Sequence, residues 1–155
     1  MEKLASTQFG VLFYLPKQVI HFPGGLPAFE SETQFLPVEN APTAPIVFLQ
    51  SLSNPDLAFI TLPAQVIEAG YCLTMSPEDM AALELDPDSQ PEIGGDVLCL
   101  AIVTIVEEGE PTANLMAPVV INLRTRQALQ AIRPDAEYSH QHPIALGNPG
   151  GGSCS

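Results

Sequence analysis

An all-β fold, a small antiparallel β-barrel-like domain with one short helix near residues 77–85, is predicted by three observations. Short apolar runs rich in β-branched residues recur along the chain, separated by turn residues, and amount to eight or nine strands. Sixteen prolines are scattered through 155 residues, about twice the usual share of roughly 5%, which disfavours long helices. Only one segment carries the signals of a helix start.

The first strand is expected over residues 7–15, interrupted at Gly10, and a second over residues 19–22. Phe22-Pro-Gly-Gly-Leu-Pro27 then forces a turn, because Gly24 and Gly25 reach positive φ cheaply and the prolines fix their flanks. Residues 34–38 and 46–51 read as strands around a Pro-rich loop. Ser53-Asn-Pro-Asp56 is a turn signature, since Asn and Asp side chains bond nearby backbone and proline suits the first central position. Strands follow over residues 57–62 and 71–75.

Ser76-Pro-Glu-Asp79 starts the helix. Ser76 can cap, Pro77 suits the first helical position, and Glu78 and Asp79 meet the positive end of the dipole. Asp86-Pro87 should stop it within two to three turns. Residues 96–106 form the strongest apolar run and predict a central strand buried on both faces. A strand over residues 114–122 contains Pro118, which implies an edge or a bulge there. A hairpin connection at residues 123–126 leads to a last strand over residues 127–132. Residues 1–144 are expected to form one domain, and residues 145–155 a disordered Gly/Ser-rich tail.

Charge excludes several classes of function. Eighteen acids face five bases, for a net charge of −13, and no Lys or Arg occurs between Gln18 and Leu123, a window holding 15 acids. Nucleic-acid binding needs cations to displace condensed counterions, and attraction to an anionic membrane surface needs them too. A basic protein or a cation is the partner such a chain favours. The N-terminus lacks a basic stretch followed by a long apolar run, so a signal peptide is not expected and a cytoplasmic, reducing setting is. Cys72, Cys99 and Cys154 are odd in number and widely spaced, which fits two small buried hydrophobes and a tail thiol better than a disulfide framework or zinc site.

No catalytic group, cofactor or metal site is expected. His140-x-His142 could face one side of a strand, but no clustered carboxylates complete a first shell, and a solvated terminal feature is the simpler reading. No G-x-S-x-G elbow or phosphate-binding glycine loop occurs. Asp86-x-Asp88 lacks the remaining calcium ligands and reads as an acidic loop rim. Met75, Met80 and Met116 read as core filling.

Four segments stand out in register: Ile20-His-Phe-Pro-Gly-Gly-Leu-Pro-Ala-Phe-Glu30, Phe48-Leu-Gln-Ser-Leu-Ser-Asn-Pro-Asp-Leu-Ala-Phe59, Leu100-Ala-Ile-Val-Thr-Ile105 and Thr112-Ala-Asn-Leu-Met-Ala-Pro-Val-Val-Ile-Asn122, the last followed by Arg124, Arg126, Ala128 and Gln130. Together they resemble the FliW flagellar assembly factors of bacteria. The resemblance implies a β-barrel-like, non-enzymatic protein with two partners. One is CsrA, a basic RNA-binding homodimer that represses translation. The other is newly made flagellin, which takes the factor and so frees CsrA to repress flagellin synthesis. Alternatives are a small-ligand-binding or catalytic barrel on the same scaffold, and a chaperone for flagellin alone.

Partner contacts are expected at the motif residues Asn54, Asp56, Thr112, Asn114 and Asn122, and at the acids Glu68, Glu78, Asp79, Glu107, Glu108 and Glu110, the latter chosen for charge and expected exposure. Pro23, Gly24, Leu26, Pro27, Asn54, Pro55 and Asp56 also admit a purely conformational role as turn-setting or capping residues, and Asn114 and Asn122 either satisfy loop backbone groups or present their amides to a partner. Ala28 stands where the family usually has glycine; if that position needs positive φ, the turn is strained by about 1 kcal/mol.

Overall fold

The structure is a computed structural model that describes residues 1–105, 109–132 and 138–144. Eleven short strands are present among these residues: β1 (Glu2–Ser6), β2 (Gly10–Tyr14), β3 (Ile20–His21), β4 (Gln34–Val38), β5 (Val47–Ser51), β6 (Ala58–Pro63), β7 (Val97–Thr104), β8 (Thr112–Ala113), β9 (Val119–Asn122), β10 (Ala128–Gln130) and β11 (His142–Pro143). The main sheet runs β10-β9-β7-β6-β5-β4-β3, with antiparallel neighbours throughout. It curls but does not close by a ladder. Its two ends meet at one isolated parallel bridge, His21 to Gln127, where the His21 N–H donates to the Arg126 carbonyl at 2.9 Å.

Side-chain alternation along β7 explains the layers. Leu100, with the half-buried Leu98 and Ile102, points into the curl with Phe22, Phe35, Leu49, Val119 and Ile121. Val97, Cys99 and Ala101 point outward, under Tyr71, Leu73, Met75, Met80 and Leu83. A strand buried on both faces reads as a continuous apolar run, as residues 96–106 do. Elsewhere on the outer face, the β1–β2 hairpin lays Leu4, Leu12 and Tyr14 over Leu36, Val38 and Phe48.

Several expected elements fall differently. Residues 7–15 are not one strand: Thr7–Phe9 make a turn, and Gly10 (φ +73°) begins the second arm of a hairpin whose first arm is β1. A three-residue hairpin connection needs such a left-handed residue. Residues 71–75 alternate inward and outward but form no strand. The Gln90 side chain takes a strand's place there, accepting from the Met75 N–H (2.7 Å) and donating to its carbonyl (3.2 Å). Pro118 lies outside any strand. It separates β8 from β9, which pair with successive halves of β7, and its carbonyl accepts the Ala131 N–H at 2.8 Å. His142 is no loose terminal feature, since β11 pairs with β8 opposite Ala113.

Among the described residues two α-helices are present where one was expected: α1 (Ala64–Ile67) and α2 (Pro77–Ala82). Ser76 caps α2 as anticipated, its hydroxyl accepting the Asp79 N–H at 3.2 Å. The helix stops short of residue 85 because Glu84 turns left-handed (φ +56°) and the Leu85 N–H returns to the Met80 carbonyl at 2.9 Å. Cys99 is buried as expected, whereas Cys72 is half-buried. The expected tail, residues 145–155, lies outside the described residues.

The Phe22–Glu30 motif is conformational. A Cβ on Gly25 (φ +66°) would sit 2.5 Å from the Glu30 backbone. Leu26-Pro27-Ala28-Phe29 is a turn closed by the Phe29 N–H on the Leu26 carbonyl at 2.7 Å, with Ala28 at φ +71°. Proline then positive φ is the type II pattern, which favours glycine third. Ala28→Gly is therefore expected to stabilise the fold by about 0.5–1 kcal/mol, because relief of strain exceeds the added unfolded-state entropy. Thermal unfolding checks it, and a lowered midpoint would contradict the assignment.

A candidate protein-binding surface

Acidic side chains gather where α2 leads into the loop before β7. Glu78 and Asp79 occupy the first turn of α2. Beyond the helix, Glu84, Asp86 and Asp96 rim a shallow hollow of about 570 Å3, completed by Ser89, Asn122 and the single cation Arg124. The loop is shaped by its own carboxylates: Asp86 accepts the Asp88 N–H at 2.9 Å, and Asp96 accepts the Glu92 N–H at 2.8 Å. Glu84, Asp86, Asp88, Glu92 and Asp96 are all exposed, so their field reaches solvent.

Asn122 belongs to the foundation of this surface. It is 3% exposed; its amide donates to the Leu83 carbonyl at 2.6 Å and accepts the Arg124 and Thr125 N–H groups at 2.9 and 3.3 Å. It ties the end of α2 to the β9–β10 turn, which is the backbone-satisfying role of the two expected for it.

Asn54 and Asp56 lie in the β5–β6 turn, elsewhere on the molecule, and serve its conformation. The Asn54 carbonyl side-chain oxygen accepts the Asp56 N–H at 3.0 Å, and Asp56 accepts the Thr7 hydroxyl. Beneath them Gln50 is fully buried. Its amide nitrogen faces the carbonyls of Leu57 (3.0 Å), Ser51 (3.1 Å) and Asn54 (3.2 Å), and its oxygen accepts the Ser6 hydroxyl at 2.8 Å. Gln50 thus fastens the turn to β1. Sequence reasoning passed over it, although a lone amide in the apolar run Val47–Leu49 is the signal that could have found it.

Glu32 joins the same turn, accepting hydroxyl hydrogen bonds from Ser51 and Ser53. These bonds favour the ionised form and hold its carboxyl below the ordinary 4.5, Ser51 contributing most. A folded pKa below the unfolded one stabilises above the unfolded value, and that gain is lost as pH falls through the lower folded value. Glu32→Gln should therefore lower the melting midpoint at neutral pH, and the gap should shrink once pH drops below 4.5. Parallel melting curves across that range would contradict this.

Thr112 and Asn114 lie in a third place, lining a neutral hollow of about 240 Å3 with Thr104, Gln130, His140 and Gln141. Asn114 also caps the chain locally by accepting the Ala117 N–H at 2.9 Å. Glu110 is exposed nearby in sequence, while Glu107 and Glu108 lie outside the described residues. Glu68 ends α1, half-buried, with its carbonyl accepting the Tyr71 N–H at 2.9 Å. Of the expected contact residues, Asn122 lines the acidic hollow, and Glu78 and Asp79 precede it along the chain in the first turn of α2. No group of three or more His, Cys, Asp or Glu able to hold a metal occurs among the described residues. Among them, no helix is long and apolar enough to cross a membrane.

A curled antiparallel β-sheet with a side-chain-filled interior is the architecture this chain shares with a class of bacterial protein, the flagellar assembly factors. The chain belongs to the FliW family, whose model, described as FliW protein, matches residues 3–144. The flagellar assembly factor FliW of Syntrophomonas wolfei is 34% identical over 143 residues, covering 92% of this chain and 88% of that one. That of Bacillus velezensis is 38% identical over 138 residues, covering 88% and 89%. A crystal structure of the flagellar assembly factor FliW superposes with a TM-score of 0.81 at 27% identity, covering 93% of this chain and 97% of that one.

Proposed function

We propose that this chain is a non-enzymatic cytoplasmic partner switch. It binds CsrA, relieving repression of flagellin synthesis, and surrenders CsrA when flagellin accumulates and occupies it. The observation that carries the CsrA half is the acidic surface: Glu84, Asp86 and Asp96 around one hollow, with Glu78 and Asp79 ahead of it in α2, on a protein of net charge −13. A basic homodimer is steered to such a field, and its association slows as salt screens it. The filled interior, with Phe22, Phe35 and Leu49 at 0% exposure, disfavours the small-ligand barrel reading, because ligand sites are concave and enclosed.

The test is titration of the purified chain with CsrA at two salt concentrations. Binding at low salt that weakens at high salt is expected; no binding at low salt removes the CsrA half. Binding to flagellin without CsrA would favour the chaperone reading.

A further inference from the structure

The loop before β7 carries the rim of the acidic hollow, and it is fixed firmly only at its two ends. Its start is set by the close of α2, where the Leu85 N–H returns to the Met80 carbonyl at 2.9 Å. Its end is a turn in which the Glu92 carbonyl accepts the Asp96 N–H at 2.8 Å and the Asp96 carbonyl accepts the Leu123 N–H at 3.1 Å. Between these anchors, no backbone–backbone hydrogen bond involves residues 86–91 among the described residues. The Asp88 N–H bonds within the loop, to the Asp86 carboxylate at 2.9 Å.

Gln90 supplies the tie to the body. Its side-chain oxygen accepts the Met75 N–H at 2.7 Å, and its amide donates to the Met75 carbonyl at 3.2 Å. Met75 is 2% exposed and belongs to the core, so the loop is held by one side chain to a fixed point. Two bonds to one residue set direction as well as distance. The residues on either side of Gln90, Ser89 and Pro91, line the acidic hollow together with Asp86.

Packing does little of this holding. Residues 86–90 are all exposed. A second hollow of about 370 Å3, lined by Tyr71, Leu73, Gln90 and Pro91, lies against the same segment.

We propose that Gln90 is the positioning residue of the acidic surface: its amide, latched on Met75, holds Asp86 on the rim with Glu84 and Asp96 before the basic partner arrives. This rests on the reading that the hollow receives CsrA. A loop already in its bound arrangement spares the complex the cost of ordering it. Without the latch the loop holds that arrangement only part of the time, and apparent affinity falls by the same fraction. The effect is distinct from charge, since glutamine carries none.

The test titrates CsrA at low salt against the full-length parent, Gln90→Ala and Gln90→Glu, with amide order parameters of the free proteins measured alongside. Both variants lose the latch, because alanine has no amide and a carboxylate cannot donate to the Met75 carbonyl. Gln90→Ala is expected to bind CsrA about 5-fold more weakly or worse. Its order parameters should drop at Asp86, Asp88 and Ser89, at a melting midpoint close to the parent's, because Gln90 is exposed and water can take its place on Met75. Gln90→Glu separates positioning from charge. It adds a carboxylate to a protein of net charge −13, so charge alone predicts tighter binding, whereas loss of the latch predicts weaker binding. Equal affinity in Gln90→Ala, tighter binding in Gln90→Glu, or unchanged loop order would overturn the proposal and leave CsrA on the acidic hollow. A parent that does not bind CsrA, or binds it no better than Glu84→Lys with Asp86→Lys, would overturn the underlying reading and this proposal with it.

Discussion

Gln50→Leu is expected to lower the unfolding free energy by about 3 kcal/mol. Leucine fits the space, so lost packing is not the cause. The cost arises because Gln50 is fully buried while its partners are fixed: the Ser6 hydroxyl loses its acceptor at 2.8 Å and the Ser51 carbonyl a donor at 3.1 Å, while the Leu57 carbonyl loses one donor at 3.0 Å and keeps the Ser51 N–H at 2.9 Å. Each buried group left unpaired costs about 1–3 kcal/mol. For a chain of this length the melting midpoint should fall by roughly 6–12 °C. The hairpin loses its buried tie to the β5–β6 turn and keeps only those of Thr7 to Pro55 and Asp56, so amides of β1 should also exchange faster with solvent. A midpoint within about 2 °C of the parent would contradict this account of the turn.

Glu84→Lys combined with Asp86→Lys is expected to slow association with CsrA by about 10-fold or more at low salt. Both side chains are exposed on the rim of the 570 Å3 hollow, so stability should change little. The parent and the variant should converge as salt rises, because screening removes the advantage the variant has lost. Equal rates at low salt would place CsrA elsewhere on the surface.

What the sequence disclosed and what it withheld follow from the range of the interactions. β4 and β7 were legible because their apolar runs are local and unbroken, and the α2 start because Ser76, Pro77, Glu78 and Asp79 act on adjacent backbone. The left-handed turn at Ala28 was legible as a conditional, since Leu26-Pro27 fixes the turn type nearby. The first hairpin was misread because only Leu4 and Ser6 of β1 turn inward, which leaves a weak alternation. Residues 71–75 were misread because their pairing partner is a side chain, Gln90, fifteen residues away. Of the two roles the sequence left open for Asn122, the backbone one is seen in its bonds to the Arg124 and Thr125 N–H groups, whereas its bond to the Leu83 carbonyl, 39 residues away, is one that no local pattern announces. Glu78 and Asp79 were singled out for charge, and the structure adds Glu84, Asp86 and Asp96 after them, which only the fold of the loop brings to one hollow.

The most direct test of the proposed switch measures CsrA bound to a labelled flagellin messenger leader while this chain, and then flagellin, is added. The expected result is displacement of CsrA from the RNA by the chain and its return when flagellin is supplied. Displacement should weaken in the Glu84→Lys, Asp86→Lys variant. Undiminished CsrA–RNA complex at low salt, with an excess of folded protein present, would contradict the account.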